Sequence, residues 1–113
     1  MKEIKAIIQP YMLDSVCSAL EEIGGVPGLT VSRIQGLGRC QEAESDDSQQ
    51  EGRWRFGHKT KVEIVVTDEM APAIIDAIAR GAHTGKPGDG KIFVYEVSDV
   101  IKIRTRERGA AAI

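Results

Sequence analysis

Two hydrophobic periods alternate along this chain, and their order reads as a fold. In residues 3–9, Ile4, Ala6 and Ile8 fall on one side and Glu3, Lys5 and Ile7 on the other, the period of two of a half-buried strand. Pro10 ends it. Leu13, Val16, Cys17, Leu20 and Ile23 then recur at helical spacing. That helix starts at Asp14 or in the turn before it, with Cys17 expected as a small core residue. Gly24, Gly25, Pro27 and Gly28 stop the helix, since glycine accepts the left-handed cap and proline bars continuation. Leu29–Ile34 is a second strand. A polar tract from Gly36 to about His58 separates it from a third, Lys61–Val66, in which Val62, Ile64 and Val66 share a face. Asp68 is expected to cap a second helix with the inner stripe Ala71, Ile74, Ile75, Ile78 and Ala82. Pro72 sits in its first turn, where a missing N–H does little harm. A glycine-rich loop, Thr84–Lys91, leads into a fourth strand over residues 91–97, and Val100–Arg104 is expected to add an edge strand.

The resulting order is β-α-β, long loop, β-α-β. Two such units with right-handed crossovers predict a single α+β domain over residues 1–113. It is the ferredoxin-like βαββαβ sandwich, an antiparallel sheet with two helices on one face. The helix-free face would carry Ile7 and Val65 among charged residues, or Phe93 and Tyr95 if the last strand turns that way, a mixed surface of the kind another subunit closes.

Composition narrows the function classes. A formal net charge of −2 is not the basic footprint of a nucleic-acid binder. No stretch approaches the ~18 apolar residues of a membrane helix. The amino terminus reads directly as a strand, with no secretory segment, and two cysteines make no disulfide framework. A cytoplasmic protein that neither inserts into membranes nor binds nucleic acid is therefore expected.

The candidate chemistry lies in three places. In the loop Thr84–Lys91, glycines let backbone N–H groups approach a ligand closely, and Lys86 and Lys91 add positive charge, a combination suited to phosphate oxygens. Gly85, Gly90 and Lys91 match the spacing of a P-loop, but Ile92 stands where its Ser/Thr belongs, and this loop follows a helix and opens a strand rather than the reverse. The second place is residues 40–60, long for a loop. Gln41–Glu51 has five carboxylates and one apolar residue, whereas Arg53, Trp54, Arg55 and Phe56 have the make-up of an interface anchor. Cys40, His58 and the acidic run offer metal-binding side chains, but their spacing fits no ligand pattern, so no metal site is assigned. The third is the tail from Lys102 to Arg108, with four basic residues against one acidic. Strand alternation would put Lys102 and Arg104 on one side as a fork for anionic oxygens. No Ser/His/Asp, Cys/His or HExxH arrangement accompanies these features, and an enzyme is not expected.

These residues carry a resemblance. Lys2–Pro10, Gly28–Ser32, Gly36–Arg39, Lys61–Val66, Thr84–Val94 and Ile101–Thr105 look like the corresponding stretches of PII signal-transduction proteins, the nitrogen regulators, over essentially the whole chain. The resemblance implies a homotrimer that binds ATP and ADP competitively, with Mg²⁺ as a possible companion, in clefts between subunits. It also implies a long loop that reaches a partner enzyme, regulator or membrane transporter. Carried over by position, Thr30, Gly38, Arg39, Val65, Gly88, Asp89, Gly90 and Lys91 would line the nucleotide site. Lys102, Ile103 and Arg104 would reach the phosphates from a neighbouring subunit.

The chain also departs from the family pattern. Gly52 stands at the position of the tyrosine that many bacterial members uridylylate. The effector site for 2-oxoglutarate would draw on Gly38, Cys40, Gln41 and Lys59, but Cys40 replaces the family's glutamine, with Gln41 one position late, so a weakened response is expected. The altered loop and the extra residue in Gly24–Gly28 resemble a divergent subgroup associated with metal-efflux or other transporters. Two alternatives use the same fold: a metal-binding trimer of the divalent-cation tolerance type, employing Cys40, His58 and the acidic run, and a small enzyme.

Overall fold

The computed structural model describes residues 1–39 and 54–113. Its elements are β1 (Lys2–Ile8), α1 (Leu13–Glu21), β2 (Thr30–Arg39), β3 (Trp54–Val66), α2 (Ala71–Ala82) and β4 (Lys91–Glu96), with 3-10 turns at Pro10–Met12 and Gly109–Ala112. The strands form one sheet in the order β2-β3-β1-β4 with antiparallel neighbours throughout. This is the expected ferredoxin-like arrangement.

The core follows from the two periods. Ile4, Ala6 and Ile8 of β1 and Val62, Ile64 and Val66 of β3 are buried against Val16 and Leu20 of α1 and Ile74, Ala77 and Ile78 of α2. Register places Ile4 opposite Ile64 and Ala6 opposite Val62, so the central strands present one apolar face to the helices. The inner stripe of α2 also includes Gly81, which the apolar pattern did not single out. A Cβ there would stand 2.8 Å from the Val16 Cα and 3.0 Å from the Ser15 carbonyl oxygen. Gly81 is thus the point where the two helices touch backbone to backbone. Gly81→Ala is expected to force them apart at a cost of about 1–3 kcal/mol, read as a lower urea midpoint with an unchanged slope.

Several boundaries differ from those expected, each for a local reason. The helix α1 begins at Leu13, where expected, but ends at Glu21, short of Ile23. Cys17 is half-buried rather than a core residue. Asp68 does not cap α2: Met70 holds that position without a side-chain cap. The Asp68 carboxylate instead takes the amino-terminal ammonium at 2.9 Å, which lowers its pKa. The strand β4 ends at Glu96, and the Val97 N–H donates to the Met1 carbonyl at 3.0 Å.

The largest difference is in the polar tract. Gly36–Arg39 and Trp54–Thr60, expected as loop, are strand, paired from Gly36 with Gly57 through Arg39 with Trp54. The strand β1 stops at Ile8 opposite Thr60, so beyond that point β2 and β3 continue as a two-stranded ribbon. Gly36, Gly38 and Gly57 interrupt the side-chain period there and the pairing is carried by the backbone, which is why the pattern did not reveal it. Of the partner-loop residues, Trp54, Arg55 and Phe56 have their backbone in β3, while Arg53 lies outside the described residues.

Candidate functional site

The glycine loop is held by its own carboxylate. Asp89 Oδ2 accepts the N–H of Thr84 at 2.8 Å and that of Gly85 at 3.0 Å, and its other oxygen accepts the Thr84 hydroxyl. The Thr84 Oγ1 then accepts the Lys86 N–H at 3.2 Å. Hydrogen bonding from Thr84 holds the Asp89 carboxyl below the usual carboxylate range. His83, the exposed C-cap of α2, stands 3.8 Å from the same carboxylate through Nδ1. Gly85, Gly88 and Gly90 have φ of +84°, +96° and +97°, angles that side-chain-bearing residues avoid. At Gly90 the constraint is double, because a Cβ would run into the Ile7 carbonyl of β1. At Gly88 a Cβ would meet the Gln9 amide nitrogen at 2.9 Å. Among the described residues, the N–H groups of Gly88 and Asp89 have no protein acceptor. The loop is thus a backbone cradle held by its own side chains, with the exposed Lys91 at its exit.

Because Asp89 organises the loop as a carboxylate, its effect depends on pH. Its folded pKa is depressed, so its contribution is present above the unfolded value near 3.9 and lost as pH falls through the folded one. Asp89→Ala is expected to raise hydrogen exchange at the Thr84 and Gly85 amides by about tenfold at pH 7. The unmodified chain should lose that protection only below about pH 4. Equal exchange in both proteins at pH 7 would show that the loop is organised otherwise.

Lys59, on the β3 part of the ribbon, donates from Nζ to the Gly88 carbonyl at 2.7 Å. Register puts Thr30, Lys59, Val65 and Lys91 all on the helix-free face. Thr30 and Val65 line a cleft of about 390 Å³ with Pro27, Gly28 and the carboxylates Glu3 and Glu63. A hydrogen bond with Glu63 raises the Glu3 pKa, while Glu63, also bonded to Lys61, is lowered. A second cleft of about 260 Å³ runs beneath the glycine loop, with Ala79, Ala82 and Ile92 along it and His83, Asp89 and Lys91 at its rim.

One chain does not gather all the expected residues. Val65 is opposite Glu3 and Lys91 is opposite Ile7, so the cleft holding Thr30 and Val65 lies about 13 Å along β1 from the glycine loop. Lys102, Ile103 and Arg104 are not on an edge strand. They form the tip of a hairpin whose single bridge pairs Ile101 with Arg108, and a turn closes over them through Lys102 N–H to the Glu107 carbonyl and Arg106 N–H to the Lys102 carbonyl. Strand alternation therefore does not align Lys102 with Arg104. Among the described residues, no hydrogen bond or ion pair joins this tip to the glycine loop. Gly38 and Arg39 lie in the ribbon, paired with Arg55 and Trp54, and His58 pairs with Gln35. Cys40 and Gln41 lie outside the described residues. Sequence reasoning passed over Glu3 and Glu63, which only their pairing in space marks, and Asp99, which only its contacts with Val100, Arg108 and Gly109 mark.

The family model for nitrogen regulatory protein P-II matches residues 1–107. The chain is 48% identical to the nitrogen regulatory protein P-II of Klebsiella oxytoca and 47% identical to P-II 1 of Escherichia coli K12, in both cases over the full length of both chains. Among solved structures it is similar to Arabidopsis thaliana PII bound to citrate, with a TM-score of 0.79 and 40% identity over 99% of this chain and 91% of that one. It is also similar to the B. subtilis GlnK–ATP complex, with a TM-score of 0.81 and 33% identity over 99% of this chain and 96% of that one.

Proposed function

The chain belongs to the nitrogen regulatory protein P-II family, and from that membership we propose that it is a signal-transduction regulator rather than an enzyme. It senses ATP and ADP in clefts between the subunits of a homotrimer and acts on a partner protein through the segment borne by the β2–β3 ribbon. The observation that carries the reading is the glycine loop, whose backbone cradle is already formed and ends in the exposed Lys91. A relative of the same fold is known as an ATP complex. Two features favour assembly. Phe93 and Tyr95 lie 41% and 43% exposed on the helix-free face, and the expected ligand residues are spread over places that one chain does not join. Isothermal titration tests the ligand: ATP and ADP bind and compete, and no ATP is consumed. Binding of neither would remove the reading.

The effector response sets this chain apart. Cys40 stands where the family presents a glutamine oxygen towards Mg²⁺, a hard cation that accepts sulfur poorly. Gln41 is one residue along, and in an extended backbone that turns the side chain to the opposite side. The ATP–Mg²⁺ complex is therefore expected to bind 2-oxoglutarate at least tenfold more weakly than Cys40→Gln does, a loss on the scale of one charge-assisted contact. Equal, micromolar affinity in both proteins by titration would contradict this. Gly52, at the position of the family's modified tyrosine, offers no hydroxyl for uridylylation.

A further inference from the structure

Among the described residues, the hairpin after β4 pairs with no strand of the sheet. Its register with the rest of the chain is set at its base, where one side chain joins both arms. Asp99 Oδ1 accepts the Val100 N–H of the outgoing arm at 2.9 Å and the Gly109 N–H of the returning arm at 3.3 Å. Its Oδ2 takes Arg108 Nη1 at 3.1 Å. The Gly109 N–H also donates to the Val100 carbonyl at 3.0 Å, and Gly109 turns there at a φ of +76°. Past this knot, among the described residues, the segment is shaped by the Ile101–Arg108 bridge, the closing turn and a Glu107 N–H bond to the Thr105 hydroxyl, and Ile103 at the tip is 95% exposed.

From this geometry we infer that Asp99 is a positioning residue for nucleotide binding: by tying both arms of the hairpin, it fixes where Lys102 and Arg104 present their charges. The inference rests on the nucleotide-sensing reading above. Asp99 itself offers a phosphate nothing, since a carboxylate repels it. A flexible hairpin would have to be ordered each time a ligand binds, and that ordering weakens affinity. The Asp99–Arg108 ion pair alone would matter little at an exposed position. Asp99 reinforces the direct Gly109 N–H to Val100 carbonyl bond, since it holds the neighbouring Val100 N–H while taking both the Gly109 N–H and the Arg108 side chain of the returning arm.

The test is ATP titration of the full chain and of Asp99→Ala, Asp99→Asn and Arg104→Ala, with the double variant Asp99→Ala/Arg104→Ala. Asp99→Ala is expected to weaken ATP binding by roughly tenfold, with Asp99→Asn between it and the unmodified chain. The double variant should bind nearly as Arg104→Ala does, because an arm without its charge gains nothing from being positioned. The salt dependence of binding should also become shallower in Asp99→Ala, which a general loss of stability would not produce. If Asp99→Ala fails to fold, Asp99→Asn carries the same comparisons. Unchanged affinity in the Asp99 variants, or losses that simply add in the double variant, would overturn the positioning role while leaving the nucleotide reading intact. An unmodified chain that binds no ATP would overturn both.

Discussion

Gly90→Ala is expected to lower the stability of the domain by about 2–5 kcal/mol and to abolish ATP binding with it. Two costs fall on one atom. At a φ of +97° an alanine is strained wherever it stands, and here its Cβ would also run into the Ile7 carbonyl. That carbonyl belongs to backbone in a central strand, so it cannot swing aside as the end of a side chain would. Relief requires Lys91 to leave its pairing with Ile7, which opens the β1–β4 edge and tears the cradle from the sheet. Other glycines grade the effect. Gly25 has a φ of +66° with open space around it, so Gly25→Ala should cost about 1 kcal/mol from strain alone. Gly28, with open space and ordinary backbone, should tolerate alanine within about 0.5 kcal/mol. Urea unfolding of the three variants would measure this order. A Gly90→Ala domain as stable as Gly28→Ala would mean that the loop yields freely and is not held against β1.

Lys91→Ala and Arg104→Ala are each expected to weaken ATP and ADP binding by roughly tenfold to a hundredfold, the loss of one charge-assisted contact of about 1.5–3 kcal/mol. Neither should disturb the fold, because both side chains are exposed and neither takes part in an ion pair among the described residues. If the two residues meet one ligand from different subunits, mixing the two variants should restore a fraction of normal sites, since some clefts would then combine an intact Lys91 with an intact Arg104. Unchanged binding in both single variants would place the phosphates elsewhere.

The sequence announced the elements that bury a face. Alternation in β1 and in the inner half of β3 and the stripe on α2 named most of the core before any coordinates, because burial imposes a period on residue choice. It failed where glycines interrupt the period. The ribbon Gly36–Arg39 with Trp54–Gly57 carries three glycines, and its pairing is visible only in three dimensions. The tail after Val97 failed in the opposite sense. Val100–Arg104 alternates like a strand, yet the chain turns at Arg106, with a φ of 62°, and pairs with itself instead of with the sheet. The glycine loop stood out by composition, but not the means by which it is held. The sequence marked Asp89 as a residue of the loop but not that its carboxylate takes the Thr84 and Gly85 N–H groups. A sequence shows which residues can contact phosphate more readily than which one keeps the others in place.

Native mass spectrometry of the chain with ATP tests the central claim, a nucleotide site completed between subunits. The account predicts a species at three times the 12.3 kDa chain mass carrying three nucleotides, with no nucleotide on any monomer. A monomer that binds ATP as tightly as the assembly does would contradict it, because the site would then be complete within one chain.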